Sequence, residues 1–110
     1  MDNTRLIAIL NSIIEPIVFV DTNHVISFMN FAGIEKYKDR GGQDLLGKSI
    51  FDCHNENSNK IIKETFNILQ SGLDEKFICI TDKNEKYFIR AVRHESGKLL
   101  GYYERFEKNI

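Results

Sequence analysis

The C-terminal part of the chain is three alternating runs joined by two tight turns. EKFICIT, EKYFIRAVRH and LLGYYERFEK are separated by Asp82, Lys83 and Asn84, and then by Glu95, Ser96, Gly97 and Lys98. Runs rich in β-branched and aromatic residues, bounded by turn formers, read as consecutive antiparallel strands. A sheet with an apolar face has to be covered, so the rest of the chain must supply helices for one side of it. NSNKIIKETFNILQSG is the clearest candidate. Asn57 or Ser58 offers an N-cap, Ile61, Ile62, Thr65, Phe66 and Leu69 form one stripe, and Gly72 stands where a helix terminates.

Upstream, PIVFVDTNHVISFMN reads as a hairpin. Residues 17–20 and 25–29 are short strands, and Asp21, Thr22 and Asn23 form the turn. Before it, Leu6, Ile7, Leu10, Ile13 and Ile14 recur at helical spacing, with Asp2, Asn3 or Thr4 as the cap. Pro16 ends this N-terminal helix, predicted over 4–15. Residues 30–50 are short helical pieces with Ala32, Ile34 and Tyr37 turned inward, broken by Gly41, Gly42 and Gly47. The order predicts an α+β domain with a five-stranded antiparallel sheet and helices on one face.

The 110 residues suffice for one core and are too few for two, so residues 1–110 are read as a single domain. The 15 basic and 16 acidic residues balance, which gives no basic stripe for nucleic acid or anionic lipid. No run reaches the roughly 20 apolar residues of a membrane span. There is no signal-peptide pattern, and Cys53 and Cys79 are too few for a disulfide scaffold or a zinc site. The expectation is a cytoplasmic protein with reduced thiols.

Several stretches in this order resemble a PAS domain. ILNSIIEPIVFVDTNHVISFMN is similar to the N-terminal helix and first hairpin, with Asp21 opening the turn and Asn30 closing the second strand. DLLGKSIFD resembles the glycine-centred step before the long helix, and VRHESGKLLGYYER the last hairpin. FDCHNENS is similar, more narrowly, to the DCHPxxS segment of PAS modules found with hemerythrin-like domains in bacteria and archaea. Asp52, Cys53, His54 and Ser58 match it, and Asn55 stands where proline is typical. The resemblance implies a PAS-like sheet and a sensory or regulatory module rather than an enzyme. Such a module works by dimerising, with or without a small ligand held between sheet and helices. At this length there is no room for an output domain.

Cys53 and His54 read two ways. Thiolate and imidazole suit haem iron, another metal, or a redox role near a helix N-terminus. Locally, His54 is a turn residue capping a backbone group and Cys53 a small apolar one. Two residues alone are a thin metal signature, which favours the local reading. Haem-binding PAS sensors often take a histidine from the long helix, and residues 59–71 hold none. The NCRFLQ string of flavin light sensors is missing too, so the cofactor alternative is haem rather than flavin.

Arg90 is a candidate for a carboxylate ligand if Phe88, Arg90 and Val92 face inward. If Tyr87, Ile89 and Ala91 do, Arg90 meets solvent or a glutamate, and that alternative is favoured. Phe28, Tyr37, Phe66 and Ile89 are the expected pocket lining, with Tyr102 and Tyr103 filling core or pocket. His24 and His94 read as solvated. Leu6, Ile9, Leu10 and Ile13 are the expected homodimer contact. Asp39, Asp44 and Asp52 are scattered, and no nucleophile–base arrangement or phosphate loop is present.

Overall fold

The predicted caps and turns mostly form where their chemistry placed them. In the computed structural model, which describes residues 2–110, Asp2 caps α1 (Asn3–Ser12) by accepting the Arg5 amide at 2.9 Å. The helix ends at Ser12, before residue 15. The Asn30 side chain draws the carbonyls of Leu10, Ile13 and Glu15 towards itself, and Ile13 is already extended. β1 (Val18–Asp21) and β2 (Ile26–Met29) form the first hairpin. Asp21 builds its turn by accepting the amides of Asn23 and Val25 and the Ser27 hydroxyl.

α2 (Phe31–Lys36) is capped by Asn30, and three 3-10 turns follow at Lys38–Arg40, Gly42–Leu45 and Ile50–Cys53. The segment before the third turn lies along β2. Ile26 donates to the Lys48 carbonyl, and Ile50 donates to the His24 carbonyl at 2.8 Å. α3 (Glu56–Gln70) starts earlier than predicted. Its cap is Asn55, whose side chain accepts from the Ser58 amide at 2.8 Å, rather than Asn57 or Ser58. Asn55 holds φ −76°, the value proline would impose, and adds a capping oxygen that proline lacks. Gly72 follows the helix at φ 121°, a conformation that favours glycine.

β3 (Glu75–Ile80), β4 (Glu85–Arg93) and β5 (Leu99–Lys108) complete a five-stranded antiparallel sheet in the order β2-β1-β5-β4-β3. Pairing of β1 with β5 joins the N-terminal hairpin to the C-terminal meander. Val18, Val20, Ile26, Met29, Ile89 and Tyr102 are buried on its inner face, against Ile62 and Leu69 of α3 and Leu45 and Ile50 of the connecting segment. Burying each aliphatic side chain contributes about 1.5–3 kcal/mol, which holds helix and sheet together. The buried stripe of α3 is Ile62, Thr65 and Leu69, while Ile61 is exposed. α1 differs, since it buries no side chain. No helix among the described residues is long and apolar enough to cross a membrane.

Candidate functional site

The inner sheet face and the helical cover do not close completely, and the space between them forms a cleft with two lobes. The larger is about 860 Å³, walled by Val18, Ile26, Leu45 and Ile50, with Cys53 and His54 on one side. The smaller is about 520 Å³ and runs over Tyr87, Ile89 and Phe106 under Lys36. Tyr37, Arg40, His54, Ser58 and Glu104 line both lobes and mark their junction.

Tyr37 is set by the α2 turn. Gly33 lets that helix approach the first hairpin, since a Cβ there would lie 2.6 Å from the Ile17 carbonyl oxygen. Tyr37 follows the last helical turn and donates from its hydroxyl to Glu104 Oε2 at 3.3 Å. His54 is set by the third 3-10 turn, which Ser49 caps by accepting the Phe51 amide. Its Nδ1 donates to the Ile50 carbonyl at 2.9 Å, which puts the proton of the neutral ring on that nitrogen. The Cys53 thiol contacts the Ser49 carbonyl at 3.7 Å, as a weak donor does. Both residues of the pair flagged in the sequence therefore face the cleft, and both are tied to their own turn.

The residue at the centre of the cleft is one the sequence reading passed over. Tyr102, Glu104 and Phe106 alternate on β5, and the first and third are apolar and inward, so Glu104 is carried inward as well. It pairs with Ile89, the most buried residue of β4. Burial raises its pKa above the ordinary carboxylate value, against the opposing influence of His54, the Tyr37 hydroxyl, Lys36 and Tyr87. Burial likewise raises the phenol pKa values of Tyr37 and Tyr87, with the Glu104 charge adding to the effect. The signal in the sequence was a glutamate set between two aromatics at strand spacing.

The other predicted residues divide between the two faces of the sheet. Ile89 and Tyr37 line the cleft. Phe28 does not. It pairs with Phe19, which in turn pairs with Tyr103, and this aromatic row lies on the outer face because Val18, Val20 and Tyr102 occupy the inner one. Arg90 is on the outer face for the same reason, with Tyr87, Ile89 and Ala91 inward. It lies 3.6 Å from Glu75, a carboxylate that Arg105 grips with two bonds of 2.8 and 3.0 Å. Those bonds hold Glu75 below the usual carboxylate range. Arg90 is thus excluded from the cleft.

Phe66 belongs to an aromatic plug rather than to the cavity wall. His24, read as solvated, is the centre of that plug. It sits at φ 63°, and its ring packs 4.7 Å from both Phe51 and Phe66. Nδ1 meets the Tyr102 hydroxyl at 2.9 Å, and burial lowers the ring pKa. His94 is exposed, as expected. Leu6, Ile9, Leu10 and Ile13 lie on α1 and its exit, away from the cleft, with Leu6 and Ile9 exposed.

Comparison with known proteins agrees with this architecture. A family model described as a PAS domain matches residues 6–108. Among solved structures, the C-terminal domain of a Streptococcus mutans protein is similar with a TM-score of 0.79 and 18% identity, covering 98% of this chain and 85% of that one. A PAS domain from Colwellia psychrerythraea superposes with a TM-score of 0.68 at 10% identity, covering 96% and 94%. A sensory box sensor histidine kinase from Vibrio cholerae gives 0.62 at 16%, covering 94% and 88%. No curated protein matches significantly. These comparisons do not extend to the narrower likeness to hemerythrin-associated modules. With the match running from the N-terminal helix to the last strand, the chain belongs to the PAS domain family, whose members are typically sensory and signalling modules without catalysis of their own.

Proposed function

We propose that the domain is a sensory module that holds a small organic ligand in the cleft and acts as a homodimer through its N-terminal helix. The cleft carries this reading. Its larger lobe, about 860 Å³, sets an apolar floor of Val18, Ile26, Leu45 and Ile50 against a polar rim that includes Arg40, Lys48, Asp52, His54 and Glu104. Ligand pockets typically have roughly 300–1,000 Å³ and combine apolar lining with convergent polar groups. A molecule there would touch β1, β5, the 3-10 turns and the start of α3 together, so occupancy would couple the sheet to its helical cover. The direct test is to purify the domain without refolding, denature it, and analyse the released small molecules by mass spectrometry. A near-stoichiometric compound supports the reading. An empty protein whose melting temperature shifts with no member of a diverse ligand panel overturns it.

The dimer part of the proposal rests on α1. Leu6 and Ile9 are 42% and 51% exposed on a helix that buries nothing of its own, and apolar stripes of this kind are stabilised by a partner. With Leu10 and Ile13 they would meet the same helix of a second copy. Ile9→Glu should leave a monomer in analytical ultracentrifugation, and an unchanged dimer mass would remove α1 from the interface.

A second reading is haem held through His54, because its Nε2 has no protein partner among the described residues while Nδ1 is anchored to Ile50. Cys53 fits less well as a ligand, since its thiol already leans on the Ser49 carbonyl. No group of three or more metal-ligating side chains converges among the described residues, so a bare metal site is not supported. A Soret band in the purified protein, lost in His54→Ala, is the expected outcome of this reading.

A further inference from the structure

The smaller lobe already contains a cation of its own. Lys36, at the end of α2, lays its ammonium 3.4 Å from the centroid of the Phe106 ring and 5.9 Å from that of Tyr37. Phe106 is itself stacked on Tyr87 at 5.2 Å with the rings 13° from parallel, which fixes the ring the ammonium lies over. Glu104 lines the same lobe and makes no ion pair with Lys36; Tyr37 donates to it at 3.3 Å, and the Tyr87 hydroxyl also hydrogen-bonds to it. A carboxylate accepts at about four positions, so two tyrosine hydroxyls leave part of the capacity of Glu104 free. Lys36 in turn makes no hydrogen bond or ion pair among the described residues, although an ammonium has three donors to place. Aromatic faces attract cations through the ring quadrupole, and they do so most strongly where water is excluded.

Resting on the ligand-binding reading above, we propose that the ligand of this cleft is a small organic cation, a protonated amine or quaternary ammonium. Its charge takes the place of Lys36 over Phe106 and Tyr37 and reaches the free lone pairs of Glu104. Lys36 is then an internal stand-in that the ligand displaces. The charge lining the lobe agrees with this. Once Lys36 swings out, Asp39, Asp82, Glu85 and Glu104 face only Arg40 and Lys83 as permanent cations. Displacing Lys36 frees the end of α2, the helix that Asn30 ties to the hairpin and to the exit of α1. This gives the bound state a structural difference at the base of the N-terminal helix.

The test is isothermal titration of the purified domain with benzyltrimethylammonium, with benzoate as the anionic probe of similar shape and benzyl alcohol as the neutral one, at matched ionic strength. Saturable one-to-one binding of benzyltrimethylammonium is expected, with benzoate and benzyl alcohol at least about tenfold weaker. Glu104→Gln, which keeps the shape and an acceptor for Tyr37, should weaken the cation about tenfold. Lys36→Met should tighten it about tenfold by removing the competitor, a gain that misfolding cannot produce. Equal or tighter binding of benzoate overturns the proposal, as does cation binding that neither variant changes. Failure of the cation to bind both wild type and Lys36→Met also overturns it. Mass spectrometry of the native protein separates this from the broader reading. A released anionic or neutral compound keeps the ligand and removes the cation, and an empty cleft that no probe fills removes both.

Discussion

Asn30, between β2 and α2, and Glu104, in the middle of β5, are polar side chains turned away from bulk water, and the chain treats them in opposite ways. Asn30 is fully buried, and its amide is used completely. Its oxygen accepts the Ile17 and Gly33 amides at 2.8 Å each, and its two N–H donors span the carbonyls of Leu10, Ile13 and Glu15. Glu104 has only the hydroxyls of Tyr37 and Tyr87 for its two oxygens. Buried polar groups are stable when every partner is supplied, which makes the first a structural joint. The second faces an open cleft, from which water or the proposed ligand can supply what the protein does not. Full satisfaction marks what holds the fold, and incomplete satisfaction marks where the proposed ligand would sit.

The largest effect should come from breaking the joint. Asn30→Ala leaves two backbone donors unanswered and opens a void, and the expected loss is about 3 kcal/mol of unfolding free energy in urea titration. The amides of α1 should also exchange with deuterium much faster, since α1 buries no side chain and is held largely through its exit. A loss of under about 0.5 kcal/mol would mean that water replaces the amide and the joint is not structural. Tyr37→Phe makes the same kind of cut on the cleft side. It removes one hydrogen bond at a half-open site that water can enter, so about 1 kcal/mol is expected in the same titration. A loss as large as that of Asn30→Ala would show that Glu104 is as integral to the fold as Asn30, and the contrast would fail.

The two residues also differed in how readable they were. Asn30 was visible because it closes a strand at the position the PAS resemblance gives to an asparagine, and the turn chemistry of Asp21 pointed to the same hairpin. The number of strands and the placement of the helices followed from patterns of period two and 3.6, which record burial directly, whereas the strand order did not. Glu104 was hidden because LLGYYERFEK carries two tyrosines in a row, so the phase of its alternation stays ambiguous until Tyr102 is seen to pair with Val20. Arg90 and Phe28 were misplaced or left open for the same reason, since a one-residue change of phase exchanges the faces. His24 was missed for another reason. Its turn position suggested solvent, but at φ 63° the backbone swings the ring back over Phe51 and Phe66. Cys53 and His54 drew attention by their chemistry, and sequence carries no record of the Ile50 and Ser49 carbonyls that occupy them.

His24 offers an intermediate case, half-buried with one polar partner. Its ring pKa is depressed by burial from an ordinary 6.5. The stability it contributes is therefore present above 6.5 and is lost as pH falls through its lower folded value. Urea midpoints measured from pH 7.5 to 5 should fall less steeply in His24→Asn, because asparagine tolerates the same backbone angle and does not titrate there. Parallel curves would mean that the ring titrates freely in the folded protein and the plug is open.

The smallest effect should come from Glu104→Gln, and its pH dependence bears most directly on the contrast with Asn30. In the unfolded chain this carboxyl titrates near 4.5, and in the folded domain it titrates higher because burial disfavours the charge. Below 4.5 both states are protonated, and Glu104 behaves as a neutral hydrogen-bonding group much like glutamine. As pH rises through the folded pKa, the folded state must ionise a carboxyl it holds more tightly than the unfolded chain does, so stability is lost. Glutamine has no such loss. The variant should match wild type at pH 4 and become the more stable of the two as pH rises, with the gap level once Glu104 is fully ionised. Asn30 has no counterpart to this behaviour, because an amide does not titrate. A bound organic cation should close the gap by favouring the ionised carboxylate, and in Lys36→Met the closure should need less of the cation. A wild-type protein that is more stable than Glu104→Gln at pH 8 without any ligand would mean that Lys36 and the tyrosine hydroxyls already compensate the charge. Glu104 would then be, like Asn30, a joint of the fold.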